Sequence, residues 1–445
     1  MILPAEAAAV LLPFAPAFTT PTSQRFLLLA ASAVLTAGRH TVANLLRTLG
    51  GLAAGHRTSY QRLLSKARWS GLRLARLLAG LVLRLLPDDQ PVLLVGDDTV
   101  DGHRGKRVHG KARHRDPARS SHSYTAWRYG HKWVVLAVLV RLPFATRPWA
   151  LPVPVGLYRS EEDNRRLGRP HRTPAQVLCR LLGVLLRWCP DRRFLLVGDA
   201  GYGTHEVARF CHERRDRLTL ISKLHPKANL HEPPPPYAGK GRPRQKGPAL
   251  PKPSQAVADL CRFERREVGW YGGGRRWVAT AGGTGHWYKS GQGLVPLRWV
   301  FVRDRSGTHR DEYFYSTDPA LTPEQITAWY TGRWNIETTF QELRAHLGLE
   351  ATRGWCARTV LRAAPCLFGL YSVVALLYVA LPEAKRSGGV SWPGKATVTF
   401  SDALTSVRRW LWAEAIFPQA AGVAAVPELP APLREALLAA LAQAA

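Results

Sequence analysis

Hydrophobic positions follow three regimes along this chain: helical spacing up to about residue 86, short continuous runs closed by carboxylates up to about residue 225, then alternation that returns to helical spacing after about residue 320. From Ser23 to Leu86 the pattern predicts short helices. One runs through Phe26 and Leu35 and breaks at Gly38, one opens at Thr41 in RHTVANLLRTLG, and two more cover His56 to Ser65 and Gly71 to Leu86. The composition shifts at PDDQP, Pro87 to Pro91, and VLLVGDDTV then reads as a buried strand closed by Asp97 and Asp98. KWVVLAVLVRL and Leu151 to Tyr158 are further strands, and Thr173 to Trp188 is an amphipathic helix with a hydroxyl cap ahead of Pro174. RFLLVGDAGYG repeats the earlier phrase and puts Asp199 at the end of an apolar strand. Gly201 to Gly203 turn into a helix over Thr204 to Arg214, followed by the strand Leu218 to Leu224. Strands alternating with helices predict an α/β core.

The stretch from Pro226 to Pro253 is rich in Pro, Gly and Lys and reads as a loop. Aromatic-rich strands follow over Cys261 to Val268, Trp277 to Ala281, Leu297 to Arg303 and Glu312 to Thr317, with turns expected at Gly272–Gly274, Gly282–Gly285 and Ser306–Gly307. Thr322, Pro323 and Gln325 form a helix start, and one helix is expected to carry YTGRWNIETTFQELR, Tyr330 to Arg344. Ile326, Trp329, Ile336, Phe340 and Leu343 form its core side, and Tyr330, Arg333, Glu337 and Arg344 its other side. Helices over Val360 to Leu381 and Asp402 to Ile416 come next, then a Pro-punctuated tail whose last helix packs internally or against a second copy. The expected organisation is a helical region over 1–88, possessing the features of a DNA-binding module or of plain scaffold; a first core part over 89–225; a basic loop and β-rich insertion over 226–320; a second core part with the glutamate helix over 321–385; and a helical region over 386–445.

At 445 residues and 46% hydrophobic side chains the chain buries a large core in about two or three domains. The formal charge of +30, carried by arginines spread through most of the chain, favours a long polyanion such as nucleic acid over a membrane surface. GC-rich coding inflates part of that excess. The six cysteines show no C-x-x-C pairing and read as reduced, mostly buried thiols of the cytosol. The apolar opening lacks a positive n-region and meets Glu6 and several prolines, which argues against a signal peptide. The apolar run Leu367 to Leu381 falls short of a bilayer span and reads as a core helix ahead of the alternative, a membrane helix. His103, His109, His114, His122 and His131 raise the question of zinc, but with no cysteine or close histidine pair among them a solvated basic loop or substrate contact is the stronger reading.

The chemistry rests on three carboxylates on three elements: Asp97 or Asp98, Asp199 and Glu337. Hard oxygen donors of this kind suit Mg²⁺ or Mn²⁺, and the cations beside Glu337 suit phosphate. The plain alternative is a surface helix with incidental ion pairs. The spacing Y-x2-R-x3-E-x6-R resembles the Y-x2-R-x3-E-x6-K signature of the DDE transposases of many bacterial insertion sequences, with Arg344 standing where that family has lysine. The resemblance covers roughly Val92 to Leu349 and, loosely, the N-terminal helices. It implies an α/β fold with an RNase H-like mixed sheet flanked by helices, a first aspartate in a D-x-T context (Asp97, Asp98, Thr99), a second in D-x-G-Y (Asp199, Gly201, Tyr202), Glu337 as the third acid, and a β-rich insertion between the second and third. Successive strand residues face opposite ways, so one of Asp97 and Asp98 points into the site. The D-x-T match favours Asp97, with Asp98 bonding nearby backbone.

The resemblance further implies two Mg²⁺ or Mn²⁺ ions on Asp97, Asp199 and Glu337, and DNA phosphate contacts from Tyr330, Arg333 and Arg344. Arginine in place of lysine keeps charge at the last position but changes its donor geometry. A tryptophan of the insertion stacks on a flipped base in that family, for which Trp270, Trp277, Trp287 and Trp299 are candidates without a choice among them. The implied activity is hydrolysis at element ends followed by attack of the freed 3′-hydroxyl on target DNA, by a homodimer assembled on DNA in the bacterial nucleoid, with no membrane partner. Two rivals are a two-metal nuclease without strand transfer and a transposase-derived DNA-binding protein. The presence of all three acids speaks against the second.

Overall fold

The apolar runs that end in carboxylates become neighbouring strands of one sheet. A computed structural model describes residues 3–116, 119–121, 123–237, 239, 241–390, 392–395, 397–419 and 429–443; His122 and most of the Pro-punctuated stretch before the last helix lie outside the described residues. The chain opens with helices α1 (Ala5–Leu11), α2 (Thr20–Leu35), α3 (Val42–Leu49), α4 (Arg57–Ser65) and α5 (Gly71–Leu83). Thr41 caps α3, its hydroxyl accepting from Asn44 N at 3.3 Å. Then come β1 (Val92–Gly102), β2 (Ala112–Arg115), β3 (Trp127–Val140), β4 (Trp149–Tyr158), α6 (Glu161–Arg166), α7 (Pro174–Trp188), β5 (Phe194–Gly198), α8 (His205–His212) and β6 (Leu218–Lys223). The insertion holds β7 (Leu230–His231), α9 (Pro253–Ala258), β8 (Glu264–Gly269), β9 (Arg275–Lys289), β10 (Gly293–Asp304) and β11 (Glu312–Ser316). The chain finishes with α10 (Pro323–Gly332), α11 (Asn335–His346), α12 (Ala357–Ala380), α13 (Phe400–Leu411) and α14 (Ala431–Ala442).

β1, β3 and β4 form an antiparallel set, and β5 and β6 add parallel to β1 on its other side, giving the order β4-β3-β1-β5-β6. This is the order of an RNase H-like core. β11 pairs antiparallel with β6 through Tyr315 and Ser222, and β10 and β9 follow, so the insertion extends the core sheet instead of building a second one. Helix α7 covers one face with Leu178, Leu181, Leu182 and Leu185 buried, its capping box at Thr173 and Gln176 fixing where it starts. α10 packs on the opposite face, where Ile326 and Tyr330 join Leu195, Val197, Ile221 and Phe314 in one apolar cluster.

Two expectations change. Gly282 to Gly285 do not turn the chain but lie within the long strand β9, paired with β10. A Cβ on Gly282 would come within 2.5 Å of the Trp299 carbonyl, so glycine is needed here for close backbone approach. The turn falls instead at Gly291 and Gly293, both at positive φ. The apolar run near residue 370 belongs to a helix of 24 residues, long and apolar enough to cross a membrane by length and composition. Within the protein it is a core helix: Phe368, Val374, Ala375 and Leu377 are fully buried. Among the cysteines Cys211 is buried, Cys261 is exposed and the others are intermediate, all free thiols.

The N-terminal helices share their core with the C-terminal ones. Arg362 on α12 donates to the carbonyls of Leu64, Ala67 and Trp69. Arg408 on α13 donates to those of Val34 (2.7 Å) and Thr36 (3.0 Å) at the end of α2.

Candidate active site

β1 and β5 run parallel and in register, Val95 beside Val197 and Gly96 beside Gly198, and each carries an aspartate as the next residue: β5 ends before Asp199, while β1 runs on through Asp97, which pairs with Val135 of β3. Asp97 and Asp199 therefore follow directly on the last paired residues of β1 and β5, close enough for the charge of Asp199 to act on the Asp97 carboxyl. The glycines before them are required by packing: a Cβ on Gly96 would meet Leu178 at 2.8 Å, and one on Gly198 would meet Tyr202 Cβ at 2.8 Å. Asp199 folds back on its own turn, its Oδ1 accepting from Gly201 N (2.9 Å) and Tyr202 N (3.3 Å).

Arg333 joins the first and third acids. Its Nη1 donates to Asp97 Oδ2 at 2.8 Å and its Nη2 to Glu337 Oε1 at 3.2 Å. One guanidinium thus spans carboxylates 240 residues apart in sequence, from Asp97 to Glu337. Burial pushes the Asp97 carboxyl up to about 7; Arg333 opposes this, and the negative charges of Asp199 and Asp98 add to it. Glu337 is also raised by burial against the pull of Arg333, with Asp199 contributing. Three acids repel one another around one protein cation, an arrangement suited to further positive charge.

Asp98 points the other way. Its Oδ2 accepts from the Tyr202 hydroxyl at 3.0 Å and its Oδ1 pairs with Lys132 Nζ at 3.0 Å. The expected bonds to nearby backbone are replaced by these side chains, both distant in sequence.

The helix carrying the signature is not continuous. α10 ends at Gly332 and α11 starts at Asn335, and between them the backbone tightens: Arg333 N bonds Tyr330 O and Glu337 N bonds Trp334 O, both three residues back. The predicted shared face is corrected accordingly. Tyr330 is buried with the core residue Ile326 and stacks on Phe314 at 4.3 Å, and Arg333 is buried too. Trp334, in contrast, is turned outward and is 50% exposed. Arg344 reaches back across the site to strand β1, donating to Thr99 Oγ1 and, at 3.0 Å, to Glu350. In the protein alone its partners are protein groups.

Beside Arg333 opens a cleft of about 690 Å³ lined by Arg141, Arg147, Lys223, Trp270, Tyr271, His309, Arg310 and Trp334. Of the four candidate tryptophans only Trp270 lines it. Trp277 is exposed under the Arg265 guanidinium, Trp287 packs on His205, and Trp299 is buried. Trp334, Arg147 and Lys223 were not singled out from sequence; Trp334 lies inside the signature stretch, but an outward direction depends on the tightened turn. The histidines also depart from expectation. His114 and His131 are buried and His103 half-buried instead of lining a solvated loop, and burial pulls His114 and His131 down to about 4.

Residues 13–276, more than half the chain and including both aspartate strands, match the family model of the DDE superfamily endonucleases. The chain belongs to the DDE superfamily of endonucleases. A second model, the archaeal putative transposase ISC1217, matches residues 295–376 of this endonuclease, which contain Glu337, Tyr330, Arg333 and Arg344. Among solved structures the endonuclease is similar to a piggyBac transposase synaptic complex with hairpin DNA, at 12% identity over 98% of this chain and 80% of that one, with a TM-score of 0.37. No curated protein matches it by sequence.

Endonucleases of this superfamily use divalent metal ions, and the donor set fits such ions. Asp97, Asp199 and Glu337 supply only hard carboxylate oxygens, and the described hydrogen bonds of Asp199 engage Oδ1 but not Oδ2.

Proposed function

We propose that this DDE endonuclease is a DNA transposase of the bacterial insertion-sequence group bearing the Y-x2-R-x3-E-x6-K signature, cutting at element ends and joining the freed 3′-hydroxyl to target DNA. The observation that carries this reading is the Arg333 bridge, which gathers Asp97 and Glu337 around one guanidinium beside Asp199. In this reading Asp97, Asp199 and Glu337 are the catalytic acids and hold two Mg²⁺ or Mn²⁺ ions. Bound there, divalent ions would acidify the attacking water or 3′-hydroxyl and stabilise the leaving oxygen. Arg333 orients two of the acids and offers charge to the phosphate. Tyr330 braces Arg333 from the core, with the guanidinium 5.8 Å from its ring. Arg344 exchanges protein partners for a DNA phosphate, and the basic, aromatic-lined cleft receives the strand next to the scissile bond. The enzyme works on two DNA ends as a homodimer, in the nucleoid and without a membrane partner.

The test is incubation of the purified chain with DNA bearing the inverted ends that flank its gene, with Mg²⁺ and a target plasmid. End cleavage and joined products are expected, both lost in Glu337→Gln. Cleavage without joining would leave a plain two-metal nuclease, and unchanged activity of Glu337→Gln would overturn the assignment of the third acid.

A further inference from the structure

Asp101, His103 and His131 lie on or beside the same strands as the catalytic aspartate but outside the site described above. Asp101 faces His131 across the β1–β3 ladder, so their side chains share one face. One donor atom from each of the three residues lies within 4.8 Å of the others. Asp101 is 0% and His131 1% exposed. His103 Nε2 is 3.3 Å from Asp101 Oδ2, and the two imidazoles meet edge to face at 4.5 Å.

The polar atoms turned into this cluster are short of partners. Asp101 Oδ1 and His131 Nδ1 are buried without a hydrogen bond of ordinary length among the described residues, the Trp133 indole N–H, itself otherwise unpaired, lying against the Asp101 carboxyl. Protein interiors rarely leave such groups unmet, so their presence calls for a ligand. The other nitrogen of His131 is occupied: Nε2 lies 2.9 Å from the His109 carbonyl, which has no proton to give. That bond fixes Nε2 as the protonated atom and leaves the lone pair of Nδ1 facing the cluster, the way an outer carbonyl orients a metal-binding imidazole.

We propose that Asp101, His103 and His131 bind one Zn²⁺ ion, leaving one position for a further donor, at a site distinct from the carboxylate cluster of the catalytic centre. Two imidazoles and one carboxylate are a borderline-soft donor set that selects zinc over magnesium, the reverse of the all-oxygen catalytic set. The ion would tie the outer end of β1 to β3 and to the loop carrying His103. That loop already touches the chain that follows α11, His109 N donating to Trp355 O at 2.9 Å and Thr352 Oγ1 lying 3.5 Å from His103 Nε2. Zinc here would hold the strand of the first acid against the segment leaving the helix of the third.

The experiment uses the untagged full chain, stripped with chelator, then dialysed against ZnCl₂ in excess MgCl₂. One zinc per chain is expected by atomic emission, with a thermal midpoint raised over the stripped protein. Asp101→Asn, a near-isosteric change, should bind zinc at least about 10-fold more weakly, as should His103→Ala, whereas Asp199→Asn should keep the full equivalent. Zinc retention equal in the wild type and Asp101→Asn, or lost in Asp199→Asn, would overturn the proposal. Should the variants fail to fold, X-ray absorption of the zinc-loaded wild type decides: scattering from two imidazoles is expected, and a shell of oxygen alone would reject the site.

Discussion

Asp97 and Asp98 are adjacent in sequence yet belong to different environments, because a strand sends successive side chains to opposite faces. Asp97 meets Arg333, which it shares with Glu337; Asp98 meets Tyr202 and Lys132. On the proposed mechanism, Asp97→Asn should lower DNA cleavage by about 10³-fold or more. Asp98→Asn should keep cleavage within about 10-fold of the wild type but lose about 1–2 kcal/mol of stability with its charge-assisted bonds. Rates on end-containing DNA and denaturant midpoints of the two variants check this, and the reverse ranking of rates would make Asp98 the first acid. Local sequence favours Asp97 through its D-x-T context. The identity of Asp98's partners was not legible, since Tyr202 lies 104 residues on and reaches Asp98 only through the pairing of β1 with β5. The buried histidines were hidden in the same way: basic spacing suggests solvent, while the cross-strand register that seats His131 opposite Asp101 is a tertiary fact.

At the scale of elements, the sequence pattern locates strands and capped helices because hydrophobic period and cap chemistry are local. Thr173, Thr322 and Thr41 all cap where their neighbours imply. It misses features fixed by close contact between elements, such as the tightened turn at Arg333 and the glycines of β9. Gly282→Ala tests the second: its Cβ would press on a backbone carbonyl that cannot rotate away, and a loss of about 1–3 kcal/mol is expected in chemical denaturation. The turn from β10 to β11 carries another element-level device. Asp304 is buried and accepts from Ser306, Thr308, Arg276 and the backbone N of His309, whose ring stacks at 5.1 Å on Tyr271 in the cleft wall. Burial would raise its pKa, but the hydrogen bonds and Arg276 more than offset this and hold it well below the usual carboxylate range. A depressed folded-state pKa means that the stabilisation is present above the unfolded value near 3.8 and is lost as pH falls below it. Asp304→Asn should therefore cost about 2–4 kcal/mol at pH 7, with the gap to wild type narrowing below about pH 4, as thermal melts across pH 3 to 7 would show.

For the whole molecule, the question is whether residues 1–88 stand apart as a module or belong to the body that carries the acids. The chain pattern suggests a boundary at the PDDQP turn, but the side chains cross it. Arg408 is fully buried and its described partners are carbonyls: Val34 and Thr36 at the end of α2, and Gln443 near the C-terminal end. Burial without a carboxylate partner pulls its pKa down to about 10, which still leaves it charged at pH 7. It thereby fastens the first helices to the last by satisfying carbonyls that a helix end leaves open. Arg408→Met removes a costly buried charge and keeps the volume, but strands those carbonyls. The two effects oppose, and with several carbonyls left unpaired a net loss of about 1–3 kcal/mol is expected. The loss should appear first where the contact is. In the wild type, unfolding of the N-terminal helices and of the sheet should coincide, and limited trypsin digestion should release no stable fragment beginning near residue 89. In Arg408→Met the helices should open before the sheet, and such a fragment should accumulate. If the wild type itself released it, the N-terminal region would be an independent domain and its contacts with α12 and α13 would be dispensable docking.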